Sequence, residues 1–220
     1  MIKACIFDLD GTLLNTLDTI AYFGNEALEN FGIEPIPTEE YKNLVGNGSK
    51  ILIERMLKFR DADTEKCEEI HKWYKEKYDN DFLYLTKVYD GIIAMLETLK
   101  EMGIKAAILS NKDDSTTKKV AEIMLDDGLI DLCMGAREGK PLKPDPESVF
   151  EIVESFGVAR GECLYIGDTG TDIETAKNAG LCSVGVLWGF RTEEELRAEG
   201  ADIIASRPEE IIHAIKNRVF

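Results

Sequence analysis

Four short apolar runs constrain the fold of this 220-residue chain most tightly: Ala4-Cys5-Ile6-Phe7, Ile104 to Leu109, Cys163 to Ile166 and Cys182 to Val186. Each ends in a polar loop and is followed by a segment with helical spacing. An apolar run of about four to eight residues suits a strand covered on both faces. Alternation of such runs with helices predicts a parallel sheet with helices packed on each side, the α/β class with a Rossmann-like core. The helical stripes are regular. Ile92, Met95, Leu96, Leu99 and Met102 form one, Val149, Ile152, Val153 and Phe156 a second, and Ile211, Ile212, Ile215 and Val219 a third. All three follow the i, i+3, i+4, i+7 pattern of a helix with one buried face.

One connection breaks the alternation. From Asp10 to Gly103 the chain runs 94 residues before the next strand-like run, where a crossover needs only about a dozen. An insertion is therefore expected, and its stripes are helical: Leu17, Ile20, Ala21, Ala27, Leu28 and Phe31, then Cys67, Ile70, His71, Tyr74 and Tyr78. Residues 16–85 read as a small α-helical domain, with 1–15 and 86–220 forming a discontinuous α/β core.

Charge and cysteine content narrow the function. The chain carries 26 basic and 42 acidic side chains, a formal charge of −16. That balance repels phosphate backbones and anionic lipid, so nucleic-acid and membrane-surface partners are not expected. Small anionic substrates are compatible with it, because a metal or lysine reverses the potential inside a pocket. The five cysteines, Cys5, Cys67, Cys133, Cys163 and Cys182, are scattered without a C-x-x-C pair and read as core residues in a reducing compartment. The apolar segment after Met1 reaches Asp8, too short and too acidic for a signal peptide or membrane span, and a cytoplasmic location is expected.

Two strand ends carry carboxylates. In Asp8-Leu9-Asp10-Gly11-Thr12, Asp8 and Asp10 lie two apart and so share a side at the carboxyl edge of the sheet, where open α/β sheets bind ligands. Alone, that run equally suits a strand end and an Asp-Gly turn. Gly167-Asp168-Thr169-Gly170-Thr171-Asp172 brings two more carboxylates to the same edge before a helix starting near Thr171, although Thr171 or Asp172 taken singly suits a helix cap. Four carboxylates on one edge are costly without a cation, and oxygen-only ligands favour Mg²⁺. Ser110-Asn111-Lys112 ends the Ala106 to Leu109 run with no base to activate the serine; a phosphate contact suits it, as does an ordinary polar loop. Lys143 lies in Lys140-Pro141-Leu142-Lys143-Pro144-Asp145-Pro146, ahead of a helix expected to be capped by Asp145 with Pro146 first. A lone lysine there reads as a solvated charge.

Taken together and in order, D-x-D-G-T, a serine, a lysine and G-D-x-x-x-D resemble the haloacid dehalogenase superfamily over essentially the whole chain, and the insertion falls where members with a helical cap domain carry theirs. The resemblance implies Asp8 as nucleophile and Asp10 as general acid, then base. It implies Ser110 and Lys143 on the substrate phosphate, with Thr12 and Asn111 beside them. It implies Mg²⁺ held by Asp8, the Asp10 carbonyl and Asp168, with Asp172 supporting it through water. Dehalogenation is disfavoured, because the dehalogenases lack an acid at the place of Asp10. A cap faces the active site in this family, which makes Gly46-Asn47-Gly48-Ser49-Lys50 a candidate specificity loop, with Asn47, Lys50 and Arg55 available to a second anionic group. A helix-helix turn with exposed charges explains that loop equally well.

Other motifs carry less. Gly135 to Pro141 mimics a P-loop with wrong spacing and no Ser or Thr after its lysine; His71 reads as a packing residue, His213 as solvated, and Trp73, Tyr74 and Tyr78 as core of the helical domain. Within the superfamily the chain looks most like phosphoglycolate phosphatases. The supporting residues are D-G-T-L-L-N-T, V-G-N-G and Gly185 to Phe190, with Asn15 departing from a common Asp. The expected function is a Mg²⁺-dependent phosphatase acting on a small phosphorylated metabolite, phosphoglycolate first, in a monomer or homodimer. The alternatives are a β-phosphoglucomutase-type mutase, a pyrophosphatase, a nucleotidase and, last, a non-catalytic phosphate-binding module.

Overall fold

The computed structural model describes residues 1–125 and 128–219, and the chain divides into two compact units, Met1–Asn15 with Val88–Phe220, and Thr16–Lys87. In chain order the strands are β1 (Ala4–Phe7), β2 (Leu14–Asn15), β3 (Lys87–Val88), β4 (Lys105–Asp113), β5 (Leu132–Ala136), β6 (Cys163–Gly167), β7 (Cys182–Val186) and β8 (Ile203–Ala205). β2 and β3 mark where the chain leaves and re-enters the first unit.

The remaining six strands form one sheet in the order β5-β4-β1-β6-β7-β8. Every neighbouring pair in it is parallel. β1 lies at its centre, with Phe7 level with Ile108 of β4 and with Ile166 of β6. All four β1 residues are fully buried, which is what a strand covered on both faces requires. The chain steps from β1 outward to β4 and β5, then returns to the other side of β1 as β6. That reversal places a topological switch point at the carboxyl ends of β1, β4 and β6, the crevice in which such sheets hold ligands.

The core helices are α5 (Ile92–Glu101), α6 (Asp114–Met124), α7 (Glu147–Phe156), α8 (Gly170–Ala179), α9 (Glu193–Ala198) and α10 (Pro208–Asn217). Val149, Ile152 and Val153 of α7 and Ala176 and Ala179 of α8 pack with Ala4, Ile6, Ala107, Leu109, Cys163 and Tyr165 in one cluster. Alternation along β1 turns Cys5 and Phe7 to the opposite face. α5 packs against β4 and against α10. The α/β architecture expected from the apolar runs is the one observed.

Several local expectations need correcting. β5 and β8 were not among the four apolar runs, because β5 is only half-buried over most of its length and β8 is three residues long. Both are edge strands with little apolar signal. β4 continues four residues past Leu109, its ladder with β5 resuming at Asp113 and Ala136 after a register shift. Ser110, Asn111 and Lys112 therefore belong to an irregular strand end. Met102 and Val219 are exposed, since α5 ends at Glu101 and α10 at Asn217. α7 begins at Glu147 with Pro146 as its N-cap, while Asp145 Oδ1 accepts from the Glu147 N–H at 2.9 Å.

The second unit is helical: α1 (Leu17–Asn30), α2 (Tyr41–Leu44), α3 (Ser49–Phe59) and α4 (Cys67–Asn80). α4 packs on both α1 and α3. Cys67, Ile70, Tyr74 and Tyr78 form the buried face of α4, where the Tyr74 and Tyr78 rings stack at 5.5 Å. Among the described residues no helix is long and apolar enough to cross a membrane.

Candidate active site

Asp8 follows the last residue of β1, and its N–H donates to Ile166 O at 2.9 Å, so the chain stays in register with β6 one residue beyond the strand. Asp8 Oδ1 accepts from the Leu9 N–H at 2.7 Å and lies 2.9 Å from Lys143 Nζ. Asp168 follows β6, and Asp172 lies in the first turn of α8. The three carboxylates, all buried, bring one oxygen each within 4.8 Å of one another.

Glycine makes that convergence possible. Gly11 has φ +89°, and a Cβ built there would lie 2.3 Å from Asp168 Oδ2. At Gly167 a Cβ would meet the Asp172 Cβ at 2.2 Å. Neither position has room for a side chain, and Gly11 also needs the left-handed backbone.

The carboxylates are fixed by different partners. Asp168 Oδ1 accepts from the Thr12 hydroxyl at 2.9 Å and Oδ2 from the Phe190 N–H at 2.9 Å. Asp172 Oδ2 accepts from the Thr169 N–H at 3.1 Å and from its hydroxyl at 2.7 Å. This is a reach back from the first turn of α8 to its N-cap, where the helix dipole also favours an anion. Asp172 Oδ1 accepts from Lys143 Nζ at 2.8 Å. Lys143 thus bridges Asp8 and Asp172 from a buried position.

Burial and mutual repulsion raise these acids. Burial first, then the charges of Asp172 and Asp10, push Asp8 up to about 7, against the opposing pull of Lys143. Asp168 is held well above the carboxylate range by burial and by Asp172 and Asp8. For Lys143, burial favours the neutral amine, but Asp172 and Asp8 outweigh it and hold the ammonium well above its ordinary value. Ionised together, the three buried carboxylates would outnumber the one lysine, and the raised acids mark a site short of positive charge. A pocket of oxygen-only donors with that shortfall fits a hard divalent cation such as Mg²⁺.

The other expected site residues have these partners. The Thr12 hydroxyl donates to Asp168 Oδ1 at 2.9 Å and its N–H points at Leu9 O, so Thr12 orients a carboxylate. Asn111 grips the backbone of Lys143: Oδ1 accepts from the Lys143 N–H at 2.8 Å and Nδ2 donates to its carbonyl at 3.1 Å. Lys143, read alone as a solvated charge, is one of the most buried charges in the chain. Ser110 is buried, and its Oγ accepts from the Lys112 N–H at 3.2 Å. Asp10 stands outside the trio of carboxylates, both of its oxygens paired with Lys112 Nζ at 2.9 and 3.0 Å.

The residues singled out in the helical unit are engaged there. Arg55 donates to Leu44 O at 2.9 Å and to Asn47 Oδ1 at 2.7 Å, holding the Val45–Gly48 turn, and Lys50 pairs with Glu68. His71 Nε2 lies 2.8 Å from Ser49 Oγ. Thr169, Lys112 and the Phe190 amide were not singled out for a role in the site. Of these only Thr169 had a legible signal, a threonine three residues ahead of an acid at a helix start.

A family model for haloacid dehalogenase-like hydrolases matches residues 5–186, which takes in both carboxylate loops, Ser110 and Lys143. The chain belongs to the haloacid dehalogenase-like hydrolase family. It is 32% identical over 217 residues to a phosphoglycolate phosphatase of Aquifex aeolicus strain VF5, covering 99% of this chain and 98% of that protein. A crystal structure from Lactobacillus delbrueckii subsp. bulgaricus ATCC BAA-365, of a protein provisionally named a phosphoglycolate phosphatase, superposes with a TM-score of 0.93 at 29% identity. The superposition covers 97% of this chain and 98% of that one. A β-phosphoglucomutase of Clostridium difficile reaches a TM-score of 0.79 at 21% identity over 100% of this chain and 97% of its own, a likeness of fold alone.

Proposed function

We propose that this hydrolase is a phosphatase that releases inorganic phosphate from a small phosphomonoester, phosphoglycolate first among the candidates, in the cytoplasm. The observation that carries the reading is the buried trio Asp8, Asp168 and Asp172 with Lys143 bridging two of them. The names and full-length coverage of the relatives support the substrate class. Thr16–Lys87 is then the cap domain and the rest of the chain the catalytic core.

In this reading Asp8, Asp168, Asp172 and the Asp10 carbonyl hold or support Mg²⁺, whose charge offsets that of the phosphate and eases attack by an anion. The remaining chemistry belongs to the chain. Both hydrogen bonds to Asp8 fall on Oδ1, so attack on phosphorus is assigned to Oδ2. A bond forms between Oδ2 and phosphorus as the ester P–O bond breaks, and Asp10, in its protonated form, gives its proton to the departing oxygen. Asp10 then takes a proton from water as that water attacks phosphorus, breaking the bond to Asp8 and releasing phosphate. Lys143 and the Ser110 hydroxyl steady the phosphate oxygens. Asn111 and Thr12 are positioning residues, the first for Lys143 and the second for Asp168.

The test is phosphate release by the purified protein across phosphoglycolate, pyrophosphate, nucleoside monophosphates and sugar phosphates, with Mg²⁺ and with chelator. Mg²⁺-dependent release with phosphoglycolate preferred is the expected result. Transfer of phosphate to a sugar phosphate in place of release would make the protein a mutase. Binding without turnover of any substrate would make it a phosphate-binding module.

A further inference from the structure

Lys112 is the cation beside the residue assigned to the leaving group. Its ammonium donates to both Asp10 oxygens, at 2.9 and 3.0 Å, and the pair is largely sheltered, with side chains 10% and 19% exposed. The backbone aims it there. The irregular end of β4, where the ladder with β5 breaks between Leu109 and Asp113, leaves the Lys112 ammonium on Asp10 while Asn111 grips Lys143. Lys143 is committed to Asp8 and Asp172, and Lys50 and Arg55 are engaged within the helical unit. Lys112, paired with Asp10, is the lysine that stands beside the group assigned to the departing oxygen.

We propose that Lys112 is a specificity-determining residue that binds an anionic group on the leaving group, and that the preferred substrates are phosphomonoesters carrying a carboxylate on the carbon next to the ester oxygen. The inference rests on the phosphatase reading above. It follows from distances. An acid serving the departing oxygen works at about 2.6–3.2 Å from it, so an ammonium about 3 Å from that acid stands within about 6 Å of the same oxygen. A carboxylate carbon two bonds away lies about 2.4 Å from that oxygen, within the span the lysine covers. A lysine is a compact point charge on a flexible stem with three donors, so one can reach a substrate anion while another stays on an Asp10 oxygen. Leaving groups without a negative group gain nothing from it. In a chain of net charge −16, a second anion on the substrate needs such a local cation.

The experiment compares kcat/KM on phosphoglycolate and on ethyl phosphate, whose leaving group has similar length and no charge. The wild type is expected to prefer phosphoglycolate. Lys112→Met should lose about ten- to a hundredfold more on phosphoglycolate than on ethyl phosphate, the usual effect of removing a hydrogen bond to a charged group, while the loss common to both substrates reports the hold of Lys112 on Asp10. Lys112→Arg should recover part of the preference. Lys112→Gln serves the same comparison if the methionine variant does not fold. Equal losses on both substrates, or no loss on either, would overturn the inference, because Lys112 would then serve only Asp10 or neither. A wild type that shows no preference for phosphoglycolate while hydrolysing ethyl phosphate would also overturn it, leaving the phosphatase reading standing. No turnover of any phosphomonoester would overturn that reading and the inference with it.

Discussion

Asn111 sets the position of Lys143 through the lysine's own peptide groups, gripping its N–H and its carbonyl at once. The ammonium then reaches two carboxylates at 2.9 and 2.8 Å, a geometry a looser backbone would not keep. Asn111→Ala should therefore cut kcat/KM by about a hundredfold, the cost of a displacement on the order of 1 Å at a reacting centre. It should also lower stability by about 1–3 kcal/mol, because two buried backbone groups lose their partner. Steady-state kinetics beside a denaturant titration check both, and unchanged kinetics would mean that Lys143 is held by its own ion pairs alone. Thr12 acts in the same indirect way on Asp168. For both residues the sequence indicated a polar side chain near the site, and the direction in which it points came only from the fold.

At the scale of elements, legibility follows burial. β1, β6 and β7 were readable because strands buried on both faces must be apolar throughout, and their sequences ACIF, CLYIG and CSVGV are nearly so. β5 and β8 lie at the two edges of the sheet, where half-burial and short length leave little pattern. The carboxylate loops were readable for a related reason, since Asp8 and Asp168 directly follow such strands. Lys112 was not. The irregularity between Leu109 and Asp113 re-aims the end of β4, and nothing in Ser-Asn-Lys specifies a bulge or its direction. Arg55 and Lys50 were legible as charges, but their engagement within the helical unit depends on how α2, α3 and α4 pack.

At the scale of the whole molecule, the buried carboxylates tie stability to pH. Asp8 stands near 7 in the folded chain, against an ordinary value of 3.8, so the fold binds that proton more tightly than the unfolded chain does. The resulting stability is fully present below about pH 4 and is lost as pH rises through about 7. Asp168 adds to the loss in the same direction. The lowered acids Asp114, Glu68, Glu151, Glu162 and Glu195 act oppositely, but only as pH falls through their own low range; His71, lowered from 6.5 by burial, also acts oppositely as pH rises, one half-buried group against two buried acids. In chelator the melting temperature should therefore fall between pH 5 and pH 8, and Mg²⁺ should restore it at pH 8 by replacing the lost protons as counter-charge. A melting temperature that is flat or rises over that interval in chelator would show that the trio carries no such strain.

Turnover by Asp8→Asn measures the central claim most directly. The substitution keeps the shape of the side chain, removes the attacking carboxylate and relieves repulsion in the trio, so the variant should fold at least as stably as the wild type in chelator at pH 8. Its Mg²⁺-dependent phosphate release from phosphoglycolate should fall by at least about a thousandfold, since loss of a nucleophile removes its whole catalytic pathway. A folded Asp8→Asn protein that turns over at a rate near that of the wild type would contradict the account, because attack on phosphorus would then come from some other group.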